Sequence, residues 1–432
     1  MNKLFLLPFL AVLLCGCLEE TCNETRTVIG FEPVTTTAGE WRANSSFFCG
    51  VGQPVCTASG FYVYEDYLFM VEENKGLHIY DNGNPSDPVP ITFMEAPGGQ
   101  GLAVRNGILY MNQYTDLVAF DLSDPTRPEL VGRTEDVFEP YSVFAQVLPN
   151  DEFVVDWVET GEQRNLTCNS PNFGNRSFWQ DDILFANSSA DFATANVNNS
   201  SGGGQPETVG QGGSLARFTI SNRTLYAVDD QRLKVFDLTD AENPRYADQV
   251  NLGWGIETIF PSGDNLYIGS TTGMHIYNVS TPTAPEHLST FQHVLSCDPV
   301  VVAGDLAYVT LWGGRDCGST GDQLEIIDVS DPRNPESLQI TPMSSSHGLG
   351  VAEGKLFLCA QWEGLKVFDL DHNGLLGEQL SVTTGINARD VIVLPEDNEL
   401  IVLGYGQDGI QQFNYTDGGQ VTANGKIEVC VE

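Results

Sequence analysis

Three residues in consecutive segments of the chain have side chains that could do chemistry together. Glu257, Asp298 and His347 each stand ten residues ahead of an aromatic, Tyr267, Tyr308 and Phe357, in a short apolar run. The same count from Phe69, Tyr110 and Tyr226 gives Ser59, Gln100 and Ala216, and in the last segment Arg389 or Asp390. Two carboxylates and an imidazole could hold a hard cation such as calcium, or act as acid and base. The plainer reading is a polar lining for a water-filled channel.

The elements that must position these residues are short strands in a repeat. The clearest strand is apolar and ends in Asp or Asn, as in Leu77-His-Ile-Tyr-Asp81, Leu117-Val-Ala-Phe-Asp121, Leu233-Lys-Val-Phe-Asp237 and Leu324-Glu-Ile-Ile-Asp328. Its terminal positions are 81, 121, 237, 278, 328, 369 and 414, mostly 40 to 50 residues apart with one gap of 116. Turns such as Ser123-Asp-Pro-Thr-Arg-Pro128 follow, where Asp and Ser bond the backbone and Pro presets the dihedral. Four short strands every 40 or so residues, with no helical period, predict an all-β propeller. Eight four-stranded blades are expected, with seven as the alternative, in units starting near 60, 100, 141, 214, 256, 297, 347 and 388. The unit near 141 carries a loop insertion at about 158–205. In such a fold the inner strand lines the channel, and its start shares a face with the turn between the second and third strands. Glu257, Asp298 and His347 then sit at the channel mouth, and Trp179, Trp312, Arg315 and Trp362 on loops of the same face, suited to recognition.

The wording of the repeat, an apolar strand and then Asp-Val-Ser-Asp-Pro-x-x-Pro, resembles the LVIVD repeat family of bacterial extracytoplasmic β-propellers over about residues 60 to 427. The resemblance implies the fold and leaves the biochemical activity open.

The chain start implies a compartment. Met1-Asn2-Lys3 and the apolar run Leu4 to Leu14 read as a signal peptide, too short to span a bilayer. Leu14-Cys15-Gly16-Cys17 resembles a lipobox, which makes residues 1–16 a leader, Cys17 a lipidated N-terminus, and 17–59 a tether ahead of a propeller at 60–432. The expected location is the bacterial envelope, anchored to the outer membrane and facing the periplasm or the cell surface. Eight further cysteines suit disulfides. Cys49 with Cys56, and Cys297 with Cys317, are the expected pairs; Cys22, Cys168, Cys359 and Cys430 remain in three possible pairings, or with Cys359 as a buried thiol.

With 58 Asp+Glu against 20 Lys+Arg, the formal net charge is −38 in 432 residues. Nucleic acid is a poor partner for such a surface, because its binding relies on Lys and Arg neutralising phosphates. The acid-rich, lysine-poor composition resembles that of proteins from salty habitats. Asp369-x-Asp-x-Asn-Gly374 looks like half a calcium loop but has Leu380 at the twelfth position, so it reads as a turn. Two functions fit: a monomeric binding or scaffolding lipoprotein whose loop-rich face engages a protein or glycan, or a channel-centred, metal-dependent propeller enzyme, lactonase-like or dehydrogenase-like.

Overall fold

The structure is a computed structural model and describes residues 25–44, 47–56, 58–72, 75–139, 152–168, 170, 172, 177–180, 183–186, 209–293, 299–313 and 321–430. It divides into two units, one made of residues 1–34 and 156–194 and the other of 35–155 and 195–432.

The larger unit holds seven four-stranded antiparallel blades. Their inner strands are Ala58–Tyr64, Leu102–Arg105, Phe218–Ser221, Ile256–Ser262, Val300–Ala303, Leu349–Ala352 and Ala388–Leu394, and these define blades 1 to 7. The expected unit near 141 is not a blade. Strand Glu152–Thr167 pairs instead in a separate sheet with Thr25–Thr37, Ile183–Ala186 and Ser177–Gln180. Its alternation of apolar and polar residues suits any half-buried strand, so the pattern could not say which sheet it joins.

The repeat residues have common roles. The Asp or Asn ending the third strand accepts a backbone N–H two residues on: Asp81 from Gly83 (2.9 Å), Asp121 from Ser123 (2.7 Å), Asp237 from Thr239 (2.8 Å), Asn278 from Ser280 (3.1 Å) and Asp328 from Ser330 (2.8 Å). The suspected calcium loop is a turn of this kind, with Asp371 accepting from Asn373 and Leu375. In blades 2, 3 and 5 a second-strand tyrosine ties the blade to the next. Tyr110 donates to Ala241 O, Tyr226 to Pro282 O and Tyr308 to Gly374 O, at 2.7 to 2.8 Å. Third-strand residues such as Leu117, Val118, Ala119 and Phe120 are all buried, because each sheet is covered on both faces by its neighbours.

Blade 7 closes onto blade 1 without exchanging a strand. Phe61, Val63, Leu68 and Met70 pack against Ile392, Ile401, Leu403 and Ile410, and Asn82 and Gln412 exchange two amide hydrogen bonds. A disulfide joins Cys56 to Cys430 (Cα–Cα 4.7 Å), beside a parallel bridge between Val55 and Val429. This corrects the expected Cys49–Cys56 pair. Cys49 lies in a strand, Cys49–Val51, that adds to the outer edge of blade 1, and its thiol is free. An extended strand cannot turn back on itself, and Cys56 is thereby presented to the chain end. Cys168 is disulfide-bonded and Cys359 is a buried free thiol. Cys17, Cys22, Cys297 and Cys317 lie outside the described residues.

Helix Ala38–Asn44 docks at blade 2 through charge. Arg42 donates to the fully buried Asp116 (Nε to Oδ2, 2.8 Å) and to Asp136, and Arg133 meets Asp116 at 2.6 Å from the other side. Two guanidiniums and further hydrogen bonds hold the Asp116 carboxyl below its usual range against the opposing effect of burial.

Candidate functional site

Antiparallel order places the start of each inner strand and each turn between second and third strands at one end of the ring, the mouth. A segment of the chain runs through the ring toward that end. Val209 bridges to Arg105 at the far end of the blade 2 inner strand, and Gly210 donates to Val104 O (3.0 Å). Gln211 and Gly212 pair with Val63 and Tyr62 of blade 1, and the Gln211 amide reaches Val393 O in blade 7 (3.2 Å). At the mouth, the Ser214 hydroxyl donates to Asp390 Oδ1 (2.7 Å), which also accepts from Ser214 N (3.1 Å), while Oδ2 accepts from Leu215 N (3.3 Å). Ser214 Oγ in turn accepts from Leu349 N of blade 6, and Ala216 O accepts from Ile259 N of blade 4.

Gly212-Gly213, a pair that reads in the sequence as a linker, is therefore built into the ring. The space at Gly213 is already taken by the Asp390 carboxylate, so a Cβ there would displace it. A cavity of about 190 Å3 remains beside the segment, walled by Phe260, Val301, Leu349, Val351, Val391 and Val393. Asp390 is fully enclosed. Burial pushes its carboxyl up to about 7, against the hydrogen bonds from Ser214, Val391 and Leu215, which favour the charged form.

His347 is likewise buried at the mouth, ahead of the blade 6 inner strand. Its backbone N–H donates to Cys359 O (2.8 Å) and its carbonyl accepts from Thr310 Oγ1 of blade 5 (2.5 Å). The Gln361 side-chain amide meets Nε2, and the Tyr405 hydroxyl lies 3.2 Å from Nδ1, so both ring nitrogens are engaged. Trp312 of blade 5 lies over the imidazole with centroids 4.1 Å apart, and the Arg389 guanidinium lies over the Tyr405 ring. Burial, helped by the Arg389 charge, pushes His347 down to about 3, so the imidazole is neutral.

Of the residues expected at the mouth, the structure joins Trp312 to His347 and brings Arg389 beside them. Glu257 is buried in the blade 4 inner strand, next to a bulge in its pairing. Asp298 and Arg315 lie outside the described residues, and Trp179 belongs by its backbone to the separate sheet. Among the described residues no three His, Cys, Asp or Glu side chains gather as cation ligands. Trp362 follows Gln361 in the turn between second and third strands of blade 6 and is 69% exposed. Sequence reasoning missed Gln361, Tyr405, Ser214 and Trp254. Trp254, at the start of blade 4, is 74% exposed and stands between Gly253 and Gly255, both at positive φ (99° and 80°). A large aromatic between two glycines was the available signal.

The LVIVD repeat model matches residues 57–92, 99–136 and 296–339, which fall on blades 1, 2 and 5. No curated protein matches the chain. Among solved structures, it resembles a putative 6-phosphogluconolactonase from Bacteroides fragilis (12% identity, 90% of this chain and 98% of that chain, TM-score 0.54). A second putative 6-phosphogluconolactonase, from Bacteroides uniformis, is similar at 11% identity over 87% of this chain and 99% of that one (TM-score 0.54). The periplasmic gluconolactonase of Pseudomonas aeruginosa is similar at 10% identity over 89% and 96% (TM-score 0.52). At these identities the likeness concerns the fold alone. The chain is thus a seven-bladed β-propeller that carries LVIVD repeats on three of its blades.

Proposed function

We propose that this chain is an extracytoplasmic lipoprotein, anchored through Cys17 to the outer membrane, whose propeller serves as a binding or scaffolding module and engages a protein or glycan at its mouth. The observation that carries this reading is the segment Val209 to Ala216. A channel-centred enzyme needs an open lumen into which its ligands point, and here the chain's own backbone occupies that space and is fastened at Asp390. His347, the imidazole of the candidate set, is neutral and has both ring nitrogens engaged by Gln361 and Tyr405. What the mouth offers instead is aromatic surface on turns, with Trp254 and Trp362 turned to solvent.

Two measurements test the reading. Cys17→Ala should move the protein from membranes to the soluble fraction, because the lipid supplies the attachment; unchanged membrane retention removes the anchor. A photo-crosslinking residue at position 362 should form a discrete adduct in intact cells, while one at position 242, on the opposite face, should not. No adduct at 362, or equal adducts at both, removes the binding face.

A further inference from the structure

We infer that the outer strands of blade 4 carry a site for one divalent transition-metal ion, with His275 and His287 as its two imidazole ligands. The site shares no residue with the mouth and does not depend on the binding-face reading.

The third strand of blade 4, Gly273–Asn278, pairs with the fourth, Glu286–Gln292. His275 stands opposite Thr290, and Tyr277 opposite His287, because the register shifts after Ile276 and passes over Leu288. His287 and Thr290 are three residues apart, and in an unbroken strand they would point to opposite faces. The bulge puts both on the face of His275. The Thr290 hydroxyl then lies 3.0 Å from His275 Nδ1 and 3.0 Å from His287 Nε2. Two imidazole nitrogens therefore converge on one point.

The bulge recurs in the repeat, and so does the meeting of these two positions. In blade 5 they are Glu325 and Ser337, and the Ser337 hydroxyl donates to Glu325 at 2.6 Å. Blade 3 has Lys234 and Tyr246 there. Two of the chain's six histidines fall on this one pair of positions, and no other described blade has an imidazole at both.

Imidazole nitrogen suits zinc, copper and nickel, whereas calcium and magnesium take oxygen. A ligating imidazole must be neutral. Burial, with the nearby His287 as second cause, holds His275 below the ordinary histidine range, so it is neutral at pH 7 and gives up no proton to a metal. Metal–nitrogen bonds of about 2.0–2.1 Å bring the ion between the two rings, where the exposed Thr290 turns its hydroxyl aside. His287 is exposed as well, so its ring has room to close on the ion, while the buried Tyr277 stands edge-on to it at 5.1 Å and bounds it on one side. The only carboxylate of the fourth strand, Glu286, is held by Arg333 (2.9 Å). The strand pair thus offers two ligands and leaves the other positions to water, which makes the ion exchangeable.

The test is calorimetric titration of Zn2+ into untagged protein carrying Cys49→Ser, which removes a half-exposed thiol as a competing ligand, in about 0.5 M sodium chloride to screen diffuse attraction to the acidic surface. One ion per chain should bind, and excess Ca2+ should not displace it. His275→Ala and His287→Ala should each weaken binding about tenfold or more. Thr290→Val, which keeps both imidazoles, should retain it, and His372→Ala, at an exposed histidine of blade 6, should leave it unchanged. Melting temperatures taken without metal check that each variant is folded; should His275→Ala fail to fold, His287→Ala, at an exposed position, decides the matter alone. No zinc binding by the parent, binding that is unchanged in His287→Ala, or an equal loss in His372→Ala overturns the proposal.

Discussion

The Ser214 hydroxyl donates to Asp390 Oδ1 at 2.7 Å across 176 residues of sequence, and through this bond a segment inserted between blades 2 and 3 is fixed to blade 7. The bond has a pH signature. Folded Asp390 titrates near 7, above the value of about 3.9 for an unfolded aspartate, so between those two pH values the folded chain holds a proton that the unfolded chain has lost. Its contribution therefore falls as pH rises from about 4 to about 7 and is constant beyond, over a range of up to about 4 kcal/mol. Denaturant melts should show the parent losing stability relative to Asp390→Asn as pH rises through that window. A parent that holds or gains stability relative to the variant there contradicts the enclosure of Asp390.

Removing the Cys56–Cys430 bond should be costly, because it closes a loop of 374 residues. The chain-entropy argument gives about 6 kcal/mol for a loop of this length, less any native strain. Cys430→Ser should lower the melting temperature sharply, and Cys49→Ser by far less. Non-reducing peptide mapping should find the Cys56 peptide joined to that of Cys430; a Cys49–Cys56 link would refute the seam described here.

The tyrosine bonds between blades are separate and alike. Tyr110→Phe, Tyr226→Phe and Tyr308→Phe each remove one hydroxyl and leave a carbonyl to find water. Each should cost about 1 kcal/mol, and the triple variant close to the sum, since the sites share no partners. Urea titrations of the four proteins measure this directly. Single losses below about 0.3 kcal/mol would show that these hydroxyls merely exchange one partner for another.

Salt should stabilise the fold. With a net charge of −38, folding brings like charges together, and screening relieves that repulsion. The melting temperature should rise between low salt and about 1 M sodium chloride. A flat or falling curve would mean that ion pairs such as Arg42 with Asp116 outweigh the general repulsion.

What was legible in the sequence was what each repeat unit encodes within itself. Leu117 to Asp121 states its strand, its buried faces and its turn in five residues, because alternation and the Asx turn are local. The spacing put His347 and Trp312 on one face, and in the structure their rings lie against each other. What was illegible depended on distant partners. Glu152–Thr167 looks like blade material until its pairing with the N-terminal strand is known. Cys56 has a nearby cysteine in Cys49, yet its partner is the last cysteine of the chain. Gly212-Gly213 fits a flexible linker and a tight approach equally well, and only Asp390 decides between them. Gln361 and Tyr405 carry no motif; their role comes from the turns of blades 6 and 7 meeting at one imidazole.

The covalent seam also changes what a protease can do. Residues 56 to 430 form a circle, so one cut in any surface turn between them yields two fragments still tied to each other. Such a nicked chain migrates as a single species without reductant and divides only when the disulfide is reduced, and it takes two cuts to release any blade from the ring.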